Sequence, residues 1–534
     1  MAIADHKQPA VLGGQRLALG ARVGVAWAWP LLLSVGGLVL RLVPWLRNYP
    51  LHRDEALYGY WARLIASGQD SFLLTPWVDK PPLVLYLLAA SLKAAGVSEA
   101  ALRLPGMVAG LLLVPFTYGL AQRIYGPAAG RLAALLVAVS PFAILFAATA
   151  FTDPWLTLWL AAAAWAAAAR RPFWAGLSLG LAVASKQQGV LGIPLVLALM
   201  AVEGQGRAGW RLLRGLGRAL FGFLLIFGPL TWWDSLRWSN RPSFWERSLA
   251  TYAVLKLAPP AIWPERLGRW AEQWSYLFGT PLLSGLALAA VILVAARGGR
   301  QFWDGWRSRR QAGPGRPACP AESRQGVVLS LYVCGYLALH FLVTFQPWDR
   351  YLLPLLPFTC VLTARGLLLA WGWLARLRRG RALQAASAVS LALGLAWSAW
   401  LGADGRLPVG SDHGAYVGLR QVVATISSLP PDAVIYHRWL GWHYDFYLFD
   451  TPYERRWWSN PWLLADDAAS TARTEPERPQ WLVLPGWEDE AANGLRLALV
   501  SRGLALAECQ RIYRPDGSRS FTMYQIVPAR GVVR

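Results

Sequence analysis

The chain has 534 residues, 55% of them hydrophobic and only 15% charged, a balance that excludes both a string of soluble domains and a disordered polymer. Its 31 Trp, 18 Tyr and 18 Phe suit a protein that lives at membrane–water boundaries. The formal charge of +22 is uneven: residues 403–534 hold 14 basic and 15 acidic side chains, so the whole excess lies in the hydrophobic part. Positive-inside bias and anionic lipid explain it better than nucleic acid, which is not expected as a partner.

Apolar stretches long enough to cross about 30 Å of hydrocarbon are expected at 23–46, 104–122, 130–151, 154–169, 173–186, 188–203, 217–233, 276–296, 326–345, 351–374 and 384–402. Between these eleven sit Arg123 and Arg131, Arg170 and Arg171, the run Arg207, Arg211, Arg214 and Arg218, the arginine-rich stretch from Arg297 to Arg324, and Arg376 to Arg381. With a cytoplasmic amino terminus, every cluster falls inside. The first apolar stretch follows a polar, basic segment ending at Arg22 and reads as a retained span. Segment 81–96 is apolar but short, and counting it as a crossing would turn every later arginine cluster outward. It is therefore expected as an interfacial helix within a first external loop, 47–103. A second external loop is expected at 234–275.

This reading divides the chain into a transmembrane catalytic domain, 1–402, and an external soluble domain, 403–534. The latter shows alternating runs AVIYHRW, WLVLP and FTMYQIV and a helical pattern near 490–503, which predicts α+β. Cys319, Cys334, Cys360 and Cys509 lie far apart and form neither a zinc motif nor a disulfide framework. His437 and His443, six apart among aromatics, fit surface packing better than a zinc pair.

Acidic residues at three places in the chain fall on the expected external face. Asp54 and Glu55 stand at the first turn of an amphipathic helix, where carboxylates ordinarily cap free amides; the functional alternative makes Asp54 a base beside a lipid-borne substrate. Asp79-Lys80-Pro81-Pro82 precedes the interfacial helix, and Thr152-Asp153-Pro154 opens a span in an ordinary capping arrangement. Lys80 and Arg350 each read equally well as interface anchors. Asp54, Glu55, Asp79 and Asp153 are hard oxygen donors that could share one divalent ion, with Asp79 as a candidate metal ligand.

In order, DEALYGYWARLIASG, DKPPLVLYLLAAS, ALRLPG, ATAFTDPWLTLWL, SKQQG and DRYLLPLLPF resemble the GT-C membrane glycosyltransferases that include protein O-mannosyltransferases and lipid A aminoarabinose transferases. The resemblance spans residues 35 to 370. It implies a polytopic α-helical membrane protein of GT-C type that takes a sugar from a polyprenyl phosphate on the external face of a bacterial inner membrane. Asp54 would then be the general base, with Glu55 beside it and Asp153 a second carboxylate shaping the cavity. Lys80, Arg350 and Lys186 would hold the donor phosphate. The acceptor would be a lipid, a glycan or a protein, and transfer would invert the anomeric carbon because one base acts without a carboxylate nucleophile. Two positions depart from the family: Asp79 stands where Glu is frequent, and Ser185-Lys186-Gln187-Gln188-Gly189 stands where a Thr-Lys-Gly-Pro-like turn is frequent.

The rival reading is a transporter or flippase. Transporters place ionisable groups near mid-membrane, whereas here the candidate residues lie at span ends and only Arg41 and Arg365 fall within apolar stretches.

Overall fold

In the computed structural model, residues 13–204, 209–252, 256–312 and 320–529 are described; Arg207, Cys319 and the first twelve residues lie outside them. Helices α1 (Gly13–Arg47), α2 (Arg53–Ser67), α3 (Leu83–Ala95), α4 (Glu99–Tyr125), α5 (Pro127–Val139), α6 (Pro141–Ala147), α7 (Asp153–Ala168), α8 (Pro172–Ser185), α9 (Gly192–Gly204) and α10 (Gly209–Ser235) come first. Then follow α11 (Phe244–Tyr252), α12 (Trp263–Ser275), α13 (Pro281–Ala312), α14 (Ala321–Leu342), α15 (Leu356–Leu374) and α16 (Gly380–Ala403). Among the described residues seven helices are long and apolar enough to cross a membrane, or eight if the bent pair α5–α6 counts as one span. The chain is a multi-pass integral membrane protein. Leu31, Val35, Leu282, Leu331 and Leu393 are each more than 60% exposed along these helices, a cost that only lipid removes.

The expected span 130–151 is two helices bent by 55°, because Pro141 offers no amide to carry the ladder past Ser140. The arginine-rich stretch after 296 is also no simple loop: α13 runs on to Ala312. Arg41 is fully buried, donating to the carbonyl oxygens of Gly37 (2.9 Å), Ala138 (3.0 Å) and Val137 (3.3 Å). It thus ties α1 to α5 by satisfying backbone acceptors, as a cation at such depth must.

Helix α3 has 13 residues, about 20 Å at 1.5 Å per residue, too short to cross upright. It packs on α2 and α4, with Tyr86 Oη donating to Ser71 O (2.7 Å) and Ser91 Oγ to Ala101 O (2.6 Å). Arg237 Nε donates to Leu73 O (2.9 Å) and Arg241 Nε to Thr75 O (2.7 Å), joining the 47–103 and 234–275 segments.

After α16 come α17 (Leu419–Ile426), α18 (Gly441–Tyr447), α19 (Pro461–Thr474) and α20 (Asp489–Val500), with strands β1 (Val434–His437), β2 (Glu454–Trp457), β3 (Gln480–Pro485), β4 (Leu504–Tyr513) and β5 (Arg519–Pro528). The sheet order is β2-β1-β3-β5-β4, parallel around β1 and antiparallel at β3–β5–β4. Alternate β1 residues feed opposite cores. Val434 and Tyr436 pack with Leu464 and Leu495 of α19 and α20, while Ile435 packs with Leu419 and Tyr444 of α17 and α18.

This domain docks on α2. Arg63 Nη1 donates to Phe446 O (2.6 Å) and pairs with Asp450; Arg420 and Tyr447 both reach Glu99. A Cβ on Gly59 would meet the Phe446 ring at 2.8 Å, so the contact needs glycine there. The surface position expected for His443 is corrected: it is fully buried in this interface, with Nε2 donating to Leu51 O at 3.0 Å, because docking covers what the isolated segment would expose.

Candidate active site

His52 caps α2: its Nδ1 accepts from Asp54 N (3.1 Å), and Glu55 Oε2 returns to accept from His52 N (2.9 Å), a reciprocal capping box. Glu55 therefore behaves as a structural carboxylate. It is fully buried, accepting from Arg103 Nε (2.9 Å), Arg103 Nη2 (2.8 Å) and Ala150 N (2.9 Å), which locks α2 to α4 and to the turn before α7. The expectation that Glu55 joins the chemistry is corrected on this ground: its lone pairs are spent on four donors and no face of it is open. Burial by itself would raise the Glu55 carboxyl, but Arg103 and the two amides outweigh it and hold it below the ordinary range.

Asp54 points the other way. Its Oδ2 accepts from Arg350 Nη1, contributed from the segment just before α15. Burial would raise its carboxyl; Arg350, His52 and Lys80 together override burial and keep it well below the usual carboxylate range. Arg350 stands 5.4 Å from the Phe151 ring and 5.6 Å from the Trp348 ring, and its Nε has no hydrogen-bond acceptor among the described residues. Its neighbour Asp349 accepts from Arg350 N (2.7 Å) and from Gly410 N (2.8 Å), tying this segment to the chain leading into the carboxyl-terminal domain.

The other two cations are also matched with acids. Lys80 Nζ lies 2.5 Å from Asp79 Oδ2, and Lys186 Nζ 2.7 Å from Asp153 Oδ1. Asp153 is thus no helix cap, although it occupies the first position of α7; a lysine 33 residues on holds it. Lys186 also stands 5.1 Å from the Tyr351 ring.

Lys80, Lys186 and Arg350 line one cavity of about 250 Å³, with Gln187, Gln188, Trp245, Ser248, His340, Phe345 and Tyr351 on its walls. Gln187 Nε2 bridges Asp79 O (2.8 Å) and Ser248 Oγ (2.6 Å), leaving its Oε1 without a donor; the Oε1 of Gln188 likewise has none among the described residues. Sequence reasoning had marked the two glutamines only as a departure from a family pattern, and it missed Asp349, Arg103 and His340 altogether. Arg103 carried a signal, as a cation inside ALRLPG, but nothing local named its partner.

No group of three His, Cys, Asp or Glu among the described residues could hold a metal ion. Asp54, Asp79 and Asp153 each face a cation of the chain, so the shared-ion arrangement with Asp79 as ligand does not fit the donor set.

The family model for dolichyl-phosphate-mannose-protein mannosyltransferases matches residues 79–233. The chain is 27% identical over 135 residues to the candidate mannosyltransferase YycA and over 140 residues to its counterpart YkcB, both of Bacillus subtilis (strain 168), and spans 19% of the length of each. Its fold is similar to that of ArnT from Cupriavidus metallidurans bound to undecaprenyl phosphate, with a TM-score of 0.58 and 16% identity over 93% of this chain and 98% of that one. It is also similar to the oligosaccharyltransferase AglB from Archaeoglobus fulgidus in complex with an inhibitory peptide and a dolichol-phosphate, with a TM-score of 0.51 and 12% identity over 93% of this chain and 74% of that one. The chain therefore has the GT-C fold of membrane glycosyltransferases, an α-helical membrane part followed by a small sheet domain, as the ordered motifs led one to expect.

Proposed function

We propose that the protein is a membrane glycosyltransferase that moves a hexose or pentose from a polyprenyl-phosphate donor to an acceptor hydroxyl on the external face of a bacterial inner membrane. The observation that carries this reading is the convergence of Lys80, Lys186 and Arg350 on one cavity beside Asp54. Undecaprenyl phosphate and dolichol-phosphate in the similar folds fit the same reading. Eleven spans, reached only if the shorter helices α7, α8 and α9 cross along with the seven long helices and the bent pair α5–α6, fit it too, as do a cytoplasmic amino terminus and an external 403–534 domain, because the basic clusters then lie at the end of the bundle away from this cavity.

A departing lipid phosphate gains charge as the anomeric C–O bond breaks, so cations placed there stabilise the transition state more than the ground state. Arg350, with its Nε–H open, and Lys80 and Lys186 fill that role. In the resting site Arg350 also suppresses the basicity of Asp54. When donor phosphate arrives it competes for the guanidinium, and Asp54 is released to take the acceptor's proton. The acceptor oxygen attacks the anomeric carbon and the phosphate leaves with the bonding electrons. Asp153 stays with Lys186, so no second carboxylate serves as nucleophile and the anomeric centre inverts. No step passes through a metal ion. The acceptor is a lipid, glycan or protein hydroxyl.

Mass spectrometry of lipid retained by the purified protein tests the donor class. A polyprenyl phosphate or its glycoside is expected, and its loss from the Lys80→Ala and Arg350→Ala variants is expected with it. Retention of ordinary phospholipid alone, unchanged in both variants, overturns the reading in favour of a transporter.

A further inference from the structure

A second basic cavity lies at the far end of the bundle. Helix α7 starts at the candidate active site with Asp153 and ends beside Arg170; α10 ends near the site with Asp234 and Arg237 and starts far from it. Around its start is a pocket of about 300 Å³ lined by Arg170, Glu203, Trp210, Arg211, Arg214 and Arg218, with Met200 and Pro172 as apolar wall.

The one acid in this pocket is already saturated. Glu203 accepts from Arg170 Nε (2.5 Å) and Gln325 Nε2 (2.5 Å), and Arg123 stands 3.6 Å away. Arg211, Arg214 and Arg218 recur at spacings of three and four, which puts them on one face of α10. None of the three has an ion pair or hydrogen bond among the described residues; Arg214 only rests 5.7 Å from the Trp210 ring. Three like charges on one helical face repel, and among the described residues the acid that shares their pocket, Glu203, is paired with other arginines.

What adjoins the pocket identifies the anion. Arg218 is flanked by residues that line a second, apolar hollow of about 370 Å³ between α8, α9 and α10, walled by Leu179, Ile193, Val196, Leu216, Leu220 and Phe223. Beside it Leu213, Leu220 and Phe221 are 69%, 57% and 59% exposed on the lipid-facing side of α10. A soluble anion would use the arginines and leave the hollow empty, whereas an amphiphile fills both.

We propose that Arg211, Arg214 and Arg218 bind the headgroup of an anionic glycerophospholipid whose acyl chain lies in the hollow between α8, α9 and α10. This is a phospholipid site in the leaflet opposite the donor cavity, built independently of the transfer reaction. Juxtamembrane arginines contribute about fivefold each in affinity for acidic lipid, so about a hundredfold is at stake across the three.

The test is native mass spectrometry of the delipidated full chain, titrated separately with phosphatidylglycerol, cardiolipin, phosphatidylcholine and inorganic phosphate. Saturable binding of phosphatidylglycerol or cardiolipin is expected at least tenfold tighter than phosphatidylcholine. It should weaken about fivefold in Arg214→Gln and about a hundredfold in the variant combining Arg211→Gln, Arg214→Gln and Arg218→Gln. Leu220→Trp, which fills the hollow without removing charge, is expected to weaken lipid retention by itself and serves should the triple variant not fold. Equal retention of phosphatidylcholine, or unchanged phosphatidylglycerol binding in Arg214→Gln and Leu220→Trp, overturns the proposal. Inorganic phosphate competing at the concentration that saturates phosphatidylglycerol overturns the lipid assignment.

Discussion

Replacing Arg350 by Gln should change the reaction in two separable ways. The guanidinium contacts Asp54 and, in the proposed complex, the donor phosphate; a charge-assisted contact of that kind is worth about 1.5–3 kcal/mol, so turnover at saturating donor should fall about ten- to a hundredfold. The second effect is on pH. Burial alone would raise the Asp54 carboxyl, and Arg350 is the foremost of the charges that override burial. Without it the protonated form is favoured, Asp54 holds its proton to higher pH, and the base is lost earlier as pH falls. The acid limb of kcat/KM, which reports the free enzyme, should therefore move upward from below the ordinary carboxylate value of about 4 to or above it. The assay is sugar transfer from a synthetic polyprenyl-phosphate donor from about pH 3, below the ordinary carboxylate value, up to about pH 8, for wild type and variant. An unmoved acid limb, with a change in KM alone, would refute the coupling between Arg350 and Asp54 and leave the arginine as a lipid anchor.

Lys80→Ala and Lys186→Ala should each lower kcat as well as donor affinity, by about tenfold or more; a pure KM effect in steady-state kinetics would place that lysine outside the reaction. Glu55→Gln should mainly destabilise, because it leaves Arg103 buried without its counter-charge at a cost of about 3–5 kcal/mol, read as a lowered Tm with donor affinity retained in the surviving fold. Burial brings His443 down to about 4 from an ordinary value near 6.5. The stability this provides is complete above about 6.5 and is lost as pH falls toward 4, about 3 kcal/mol in all. Limited proteolysis of the docked carboxyl-terminal domain should therefore quicken between pH 7 and 4.5, and less so in His443→Gln. Cysteines placed at Ser98 and Ser470 should both be labelled from outside the membrane; labelling of position 98 only from the cytoplasm would mean that the 81–96 segment crosses.

The residues that could be found by eye were those whose chemistry is unusual for their setting: acids and lysines at the ends of apolar stretches. Lys80, Lys186 and Arg350 line one cavity, and Asp79, Asp153 and Asp54 are their ion-pair partners. What the chain could not reveal was the partner of each. Asp54 and Glu55 are adjacent with equal claims to cap a helix, and the choice between them is made by Arg103 and by Arg350, 296 positions away. In the sheet domain the alternating runs exposed β1, β3 and β5. The two edges, β2 with the sequence ERRW and β4 with LALAECQRIY, escaped notice because an edge strand buries little and needs no apolar alternation. His443 looked like a surface residue because its burial comes from docking, which no local pattern encodes.

The central claim is that Asp54 takes a proton from the acceptor once donor phosphate has drawn Arg350 away. Asp54→Asn tests it most directly, since the amide keeps the shape and cannot accept the proton. Donor binding and transfer should be measured on the same purified preparation. Binding within a few-fold of wild type, with transfer reduced about 10²- to 10⁴-fold, is the predicted result; near-normal transfer would contradict it and return Asp54 to the role of a partner that merely positions Arg350.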